Sequence, residues 1–242
     1  MVTIAVDAMG GDLGPRVAFR ACRALMKNDP DVEVILPLEE SLHAAARKIL
    51  GKYQPRTRLV SCGEHVRMDD TPRQALKERS DSSMSVCLAL HASGEADGVL
   101  SIGNTGALLV LARKHLGALH GVDRPALATQ LPTKGRPLLM MDLGANICMT
   151  SEQLLQLGFL AAAWYKAGGN EQPRVALLNI GTEPGKGTDT IKAAGALFND
   201  QLGSLYAGFR EGDRLFDGDL DAVICDGYSG NITLKTTEGL IE

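Results

Sequence analysis

The chain has 242 residues, 45% of them hydrophobic, with 25 Lys and Arg set against 29 Asp and Glu for a formal charge of −4. That much apolar material supports a sizeable core and excludes a disordered chain, and the absence of a basic excess gives no pointer to nucleic acid. No apolar run approaches the length of a membrane span, and residues 1–7 lead straight into a strand rather than a leader peptide, so a cytoplasmic protein is expected, with peripheral membrane contact left open.

Residues 3–6 predict a strand, and Pro15 suits the first turn of a helix running to about Lys27. A second strand is expected at 32–36, a helix capped by Ser41 at 41–50, and a third strand at 58–62. Helical patterns follow at 72–79 and 84–91. A buried strand at 98–101 then leads into a helix at 104–116. The loop at 117–125 is the one candidate hinge. Strands are expected at 126–131 and 138–142, then a long helix capped by Ser151 and stopped by Gly168 and Gly169. Strand 175–179, helix 188–198 and strands 205–209 and 222–225 complete the alternation, with a last helix starting near Gly230. Alternation of this kind predicts a mostly parallel sheet covered on both faces, in a single α/β domain over 1–242. The last helix reaches Glu242 without a cap, so the chain is expected to be a fragment lacking its C-terminal part.

Four strand ends carry turns rich in Gly, Asn, Thr or Asp, at 7–12, 101–107, 179–187 and 226–231. Open α/β sheets bind ligands at such edges, and helix N-termini and bare Gly amides there favour an anion. Asp7 and Asp12 flank Gly10 and Gly11, with Asp12 as a helix cap the plainer reading. Asn104, Thr105 and Gly106 either cap a helix or offer free N–H groups to phosphate. Gly181 to Gly187 is too short by one residue for a P-loop and lacks its Ser or Thr, but it places Lys186 between two glycines. Asp226 and Asn231 bracket the fourth turn, with Asn231 expected at a helix start. Asp142, Gly144, Ala145 and Asn146 form a weaker fifth.

Five Cys without a CxxC pair read as reduced, mostly buried thiols, Cys148 being the one to watch. Five His without paired spacing predict no metal site. No Ser-His-Asp, Cys-His or GxSxG pattern supplies a nucleophile. One loop Lys amid anion-binding turns favours a reaction in which the substrate anion attacks.

In this order, the turns resemble the phosphate acyltransferase family, also called the fatty acid/phospholipid synthesis protein PlsX. The matching stretches are 7–12, 101–107, 124–127, 142–146, 178–183 with Lys186 and Gly187, and 226–235, spread from end to end. The resemblance implies a three-layer α/β/α sandwich with a mostly parallel sheet, similar to the isopropylmalate dehydrogenase-like fold and to phosphotransacetylase. It implies transfer of a fatty acyl group from acyl carrier protein to inorganic phosphate, giving acyl phosphate for phospholipid synthesis, without a cofactor. It also implies a homodimer in peripheral contact with the inner face of the membrane, through a C-terminal part beyond this chain. Two departures stand out: the run before Ser82 is Lys77-Glu78-Arg79, less basic than usual, and Cys148 replaces a common acid.

On that reading phosphate attacks the thioester directly. Gly10, Gly11, Asn104, Thr105 and Gly106 hold phosphate, Lys186 neutralises phosphate or oxyanion charge, and Asn231 donates to the carbonyl or orients phosphate. Asp7 and Asp226 orient donors or accept a proton, and Asn146 adds a binding contact. Helices 154–164 and 108–116 are candidate acyl grooves, with plain core stripes the simpler reading. The alternatives are a phosphate acetyltransferase or dehydrogenase on a similar fold, or a non-catalytic module binding a carrier protein or small ligand.

Overall fold

A computed structural model describes residues 1–241. The chain folds into two compact units, Met1–Gly117 and Ala118–Glu242. The boundary falls at the start of the loop that the sequence marks as a hinge. Hydrogen bonding gives each unit its own sheet, four strands in the first and five in the second, where the sequence suggests one. Apolar runs locate strands but carry no record of which strand each will pair with.

The first unit contains β1 (Val2–Asp7), α1 (Pro15–Asn28), β2 (Val32–Leu38), α2 (Glu40–Leu50), β3 (Thr57–Ser61), α3 (Pro72–Glu78), α4 (Ser83–Ala92), β4 (Gly98–Ser101) and α5 (Thr105–Leu116). All its strands are parallel, in the order β3-β2-β1-β4. Side chains alternate across the sheet. Val6, Val34, Leu36 and Leu38 pack with Phe19, Cys22, Ala46 and Leu50 of α1 and α2, while Ala5 and Ile35 on the other face meet Cys87 of α4. The chain builds β2 and β3 on one side of β1, then crosses to add β4 on the other. The switch point therefore lies between β1 and β4, where Asp7 is in register with Ser101.

The second unit contains β5 (Ala128–Leu131), β6 (Leu138–Met141), α6 (Ser151–Ala167), β7 (Val175–Leu178), α7 (Asp189–Gln201), β8 (Tyr206–Arg210), β9 (Ala222–Ile224) and α8 (Gly227–Ile241). Its strand order is β5-β6-β9-β7-β8; only the β5–β6 hairpin is antiparallel. Leu139, Val175, Leu177, Ala222 and Ile224 bury one face under α6 and α7. Leu138, Ala176 and Val223 on the other pack against Leu215 and Leu220. Gly158 of α6 admits the fully buried ring of Phe198, since a Cβ there would lie 2.7 Å from it. Each unit is thus a mostly parallel sheet with both faces covered, the α/β class expected.

Several helix ends differ from the sequence reading. Gly14, at φ 74°, precedes α1 without a side-chain cap, so Asp12 does not cap it. Helix α2 starts at Glu40, one residue ahead of Ser41, with no side-chain cap. Thr150, not Ser151, caps α6, and its hydroxyl and the Gln153 side chain exchange bonds with each other's backbone N–H. The last helix begins at Gly227, so Asn231 stands one turn inside it.

Candidate functional site

In the first unit the turns after β1 and β4 are pressed together. A Cβ on Gly10 would lie 2.7 Å from Asp7 Oδ2 and 3.0 Å from Gly103 Cα, and one on Gly103 would lie 3.1 Å from Gly10 Cα. Only glycine lets two backbones meet this closely. Gly11 is similarly close to Ile102. Asp7, 1% exposed, accepts hydrogen bonds from Ser83 Oγ (2.5 Å) and Ser101 Oγ (2.8 Å). It clasps the ends of β1, β4 and α4. Ser83 is a partner the sequence did not single out.

Asn104 caps α5: its Oδ1 accepts from Ala107 N at 3.0 Å. Its Nδ2 donates to the carbonyls of Arg67, Met68 and Asp70. The side chain is therefore occupied by capping and by bracing the 67–70 loop. What it leaves toward a ligand is backbone, the first-turn N–H groups at Thr105 and Gly106, which lack intrahelical acceptors.

In the second unit three turns sit side by side at the carboxyl ends of the adjacent strands β6, β9 and β7. After β6, the fully buried Asp142 gathers five donors. Its Oδ1 accepts the N–H groups of Leu127, Gly144 and Ala145, and its Oδ2 accepts the backbone and side-chain N–H of Asn146. Asn146 also donates to Pro125 O at 2.8 Å. Its amide is thus part of the scaffold around Asp142. After β9, Asp226 Oδ1 accepts from Ser229 N at 2.7 Å and takes the capping position at the start of α8. Gly230 lets α8 lie directly on the Asp142 turn, because a Cβ would collide with Asp142 O and stand 2.9 Å from Cys225 Sγ. Asn231, exposed, then rests on Gly144 and donates to Leu143 O at 3.3 Å. One Nδ2 hydrogen is left over.

After β7, Asn179 closes the loop that carries Lys186. Its Oδ1 accepts from Ile180 N at 2.9 Å, and its Nδ2 donates to Lys186 O at 3.1 Å. Gly187, at φ 91°, makes room for that amide. Lys186 N donates to Glu183 O at 3.0 Å. Its side chain is exposed and has no ion-pair partner among the described residues. The loop is fixed by its backbone while its cation stays available. Sequence reasoning missed Asn179 and Asp142 as the bracing residues, although an Asp followed by Gly-Ala-Asn is a recognisable side-chain-to-backbone turn signal. A cavity of ≈ 890 Å³ opens beside this loop, bounded by α7 and α8.

The cysteines divide as their surroundings dictate. Burial pushes the Cys22 thiol up to about 11. Burial, then the charges of Asp7, Glu39 and Asp81, pushes Cys62 up to about 12. Cys87 and Cys225 are raised further, again chiefly by burial. Cys148 alone is exposed. Because the thiolate is the reactive form, an aromatic disulfide reagent at pH 8 is expected to titrate one thiol quickly in the native protein and five after unfolding. Two or more fast thiols in the native protein would contradict this placement.

The fold class is that of the phosphotransacetylases. A phosphotransacetylase from Streptococcus pyogenes matches with a TM-score of 0.70 at 17% identity, over 99% of this chain and 82% of that one. A branched-chain phosphotransacylase from Enterococcus faecalis V583 matches with a TM-score of 0.64 at 19% identity, over 98% and 84%. The fatty acid synthesis protein family matches residues 2–242. Within it, a phosphate acyltransferase of Stutzerimonas stutzeri strain A1501 is 45% identical over 238 residues, 98% of this chain and 67% of that protein. One from Cellvibrio japonicus strain Ueda107 is 41% identical over 241 residues, 100% of this chain and 72% of that protein. The chain belongs to the fatty acid synthesis protein family, the phosphate acyltransferases whose ordered turns it resembles.

Proposed function

We propose that the protein transfers a fatty acyl group from acyl carrier protein to inorganic phosphate. A phosphate oxygen attacks the thioester carbonyl carbon, the C–S bond breaks, and the carrier leaves as a thiolate that takes a proton from water. The products are acyl phosphate and free carrier thiol. The observation that carries this reading is the match to phosphate acyltransferases across 98% of the chain. The exposed Lys186, on a loop braced at both ends by Asn179, is consistent with it.

Lys186 supplies the cation that offsets phosphate charge or the oxyanion forming on the carbonyl. Asn231 supplies an amide hydrogen to the same charge or to phosphate, and Asp142 and Asn146 hold the surface on which Asn231 rests. Asp226 positions α8 through its bond to Ser229. Within the first unit, taken by itself, the backbone N–H groups at Gly10, Gly11, Thr105 and Gly106 keep the anion-contacting role their turns suggest, and Ser83 and Ser101 donate to Asp7 beside Gly10. The reading includes a cytoplasmic homodimer in peripheral contact with membrane. Among the described residues no helix is long and apolar enough to cross one.

Incubation with an acyl carrier protein thioester and phosphate tests this directly, with free thiol and hydroxylamine-trapped acyl groups as the two readouts. Both are expected to rise together and in proportion to phosphate at low concentration. Thiol release that ignores phosphate would sink the reading. Acetyl-coenzyme A in the same assay distinguishes the phosphotransacetylase alternative that the fold likeness raises.

A further inference from the structure

We infer that the cavity of the second unit is the chamber that receives the acyl chain, an inference that rests on the acyl-transfer reading above. The helices expected to form an acyl groove turn much of their apolar surface into the core, and the cavity that borders α6 at Phe159, Ala162 and Ala163 is the smaller one, ≈ 490 Å³. Leu154 and Leu157 of α6 and Leu111 of α5 are buried among core side chains. The ≈ 890 Å³ cavity lies instead at the carboxyl ends of β7, β8 and β9. At roughly 30 Å³ for a group the size of a methylene, a sixteen-carbon chain takes up about 500 Å³, which fits.

Its walls are apolar on three sides: Leu178 and Ile180 from β7 and its loop, Ile191 from α7, and Tyr228 and Ile232 from α8. Ile180 is 80% exposed, Tyr228 63% and Ile232 49%. Adjacent large apolar side chains left open to water mark a surface that something else covers. Three of the polar side chains in the lining are engaged within the protein. The Asn179 amide serves Ile180 N and Lys186 O, Thr188 Oγ1 accepts from Ile191 N, and Thr233 Oγ1 donates to Ser229 O. The charges that remain are acidic, from Glu211, Asp213 and Asp226. These acidic side chains repel an anion. A neutral hydrocarbon chain gains burial without leaving a charge unpaired.

The position suits the chemistry. Gly187 and Thr188 line the cavity and directly follow Lys186, so a chain lying in the chamber brings its carbonyl end to the loop that carries the cation.

Steady-state kinetics with sixteen-carbon and six-carbon acyl carrier protein thioesters, at saturating phosphate, tests the assignment. Ile232→Trp and, from the opposite wall, Ile191→Phe shorten the chamber. Each methylene kept out costs about fourfold, so excluding three is expected to lower the ratio of kcat/KM for the long to the short substrate roughly sixtyfold. A ratio within twofold of wild type, in folded variants that still turn over, overturns the chamber and leaves the acyl-transfer reading standing. Calorimetric titration with a sixteen-carbon acyl pantetheine thioester gives an arm independent of turnover. Wild type that binds it, with weakened binding in both variants, supports the chamber even if phosphate-dependent transfer fails; equal binding in all three overturns it.

Discussion

Lys186→Ala is expected to slow phosphate-dependent thiol release by about 10²–10³-fold, the usual cost of removing one preorganised donor at a developing oxyanion, while the thermal unfolding midpoint stays within a degree or so of wild type. The separation follows from how the residue is held. The loop's shape comes from bonds made by the Lys186 backbone, its N to Glu183 O and its O from Asn179 Nδ2, and both survive truncation of the Lys186 side chain. The ammonium group is exposed and has no ion pair among the described residues to lose. Lys186→Arg keeps the charge but spreads it over a planar fork, so partial recovery is expected. A rate for Lys186→Ala within about threefold of wild type would remove the residue from the chemistry.

Asp142→Ala is expected to destabilise the second unit by at least about 4 kcal/mol, a loss large enough to name its own mechanism. Five N–H donors converge on a carboxylate with no exposed surface. Truncation strands the two buried donors of Asn146 and leaves the half-buried N–H groups of Leu127, Gly144 and Ala145 without this acceptor, and each buried unsatisfied group costs about 1–3 kcal/mol. Asp142→Asn keeps one acceptor oxygen and replaces the other with a donor that faces donors, so it recovers only part of the loss. Urea unfolding followed by the fluorescence of Trp164, the one tryptophan of the chain, reports on this unit. A loss below about 1.5 kcal/mol for Asp142→Ala would show that the turn is held by something other than this carboxylate.

The alternation of apolar runs made the strands legible to within two residues and the helices to within three, because burial on both faces of a parallel sheet writes the same signal into every strand. Pairing was not legible. Nothing in residues 98–101 says that β4 is the last strand of its sheet, or that the next sheet opens with an antiparallel hairpin. The site turns were visible as clusters of Gly, Asn and Asp, but their internal roles were not. Asn104 and Asn146 have the composition of ligand-binding residues, and both spend their side chains inside the protein, Asn104 on backbone groups and Asn146 on Pro125 O and the Asp142 carboxylate. Ser83 acts through Asp7, 76 positions away in sequence, beyond the reach of local pattern, whereas Asp142 and Asn179 brace chiefly their own turns. The cavity had no sequence signature at all, because its apolar lining reads as core in a single chain and differs from core only in being left uncovered.

The glycine at position 230 has a mechanical consequence. With no side chain between them, α8 and the Asp142 turn are in direct contact, and α8 cannot move toward that turn at Gly230 without displacing it. Asn231 and Ile232 are neighbours on this one lever, the first resting on Gly144 and the second facing the cavity. A hydrocarbon that presses on Ile232 therefore also presses on the amide beside it. On the proposed reading the fit of the tail reaches the thioester through this contact, and a poorly fitting chain is expected to cost turnover as well as affinity.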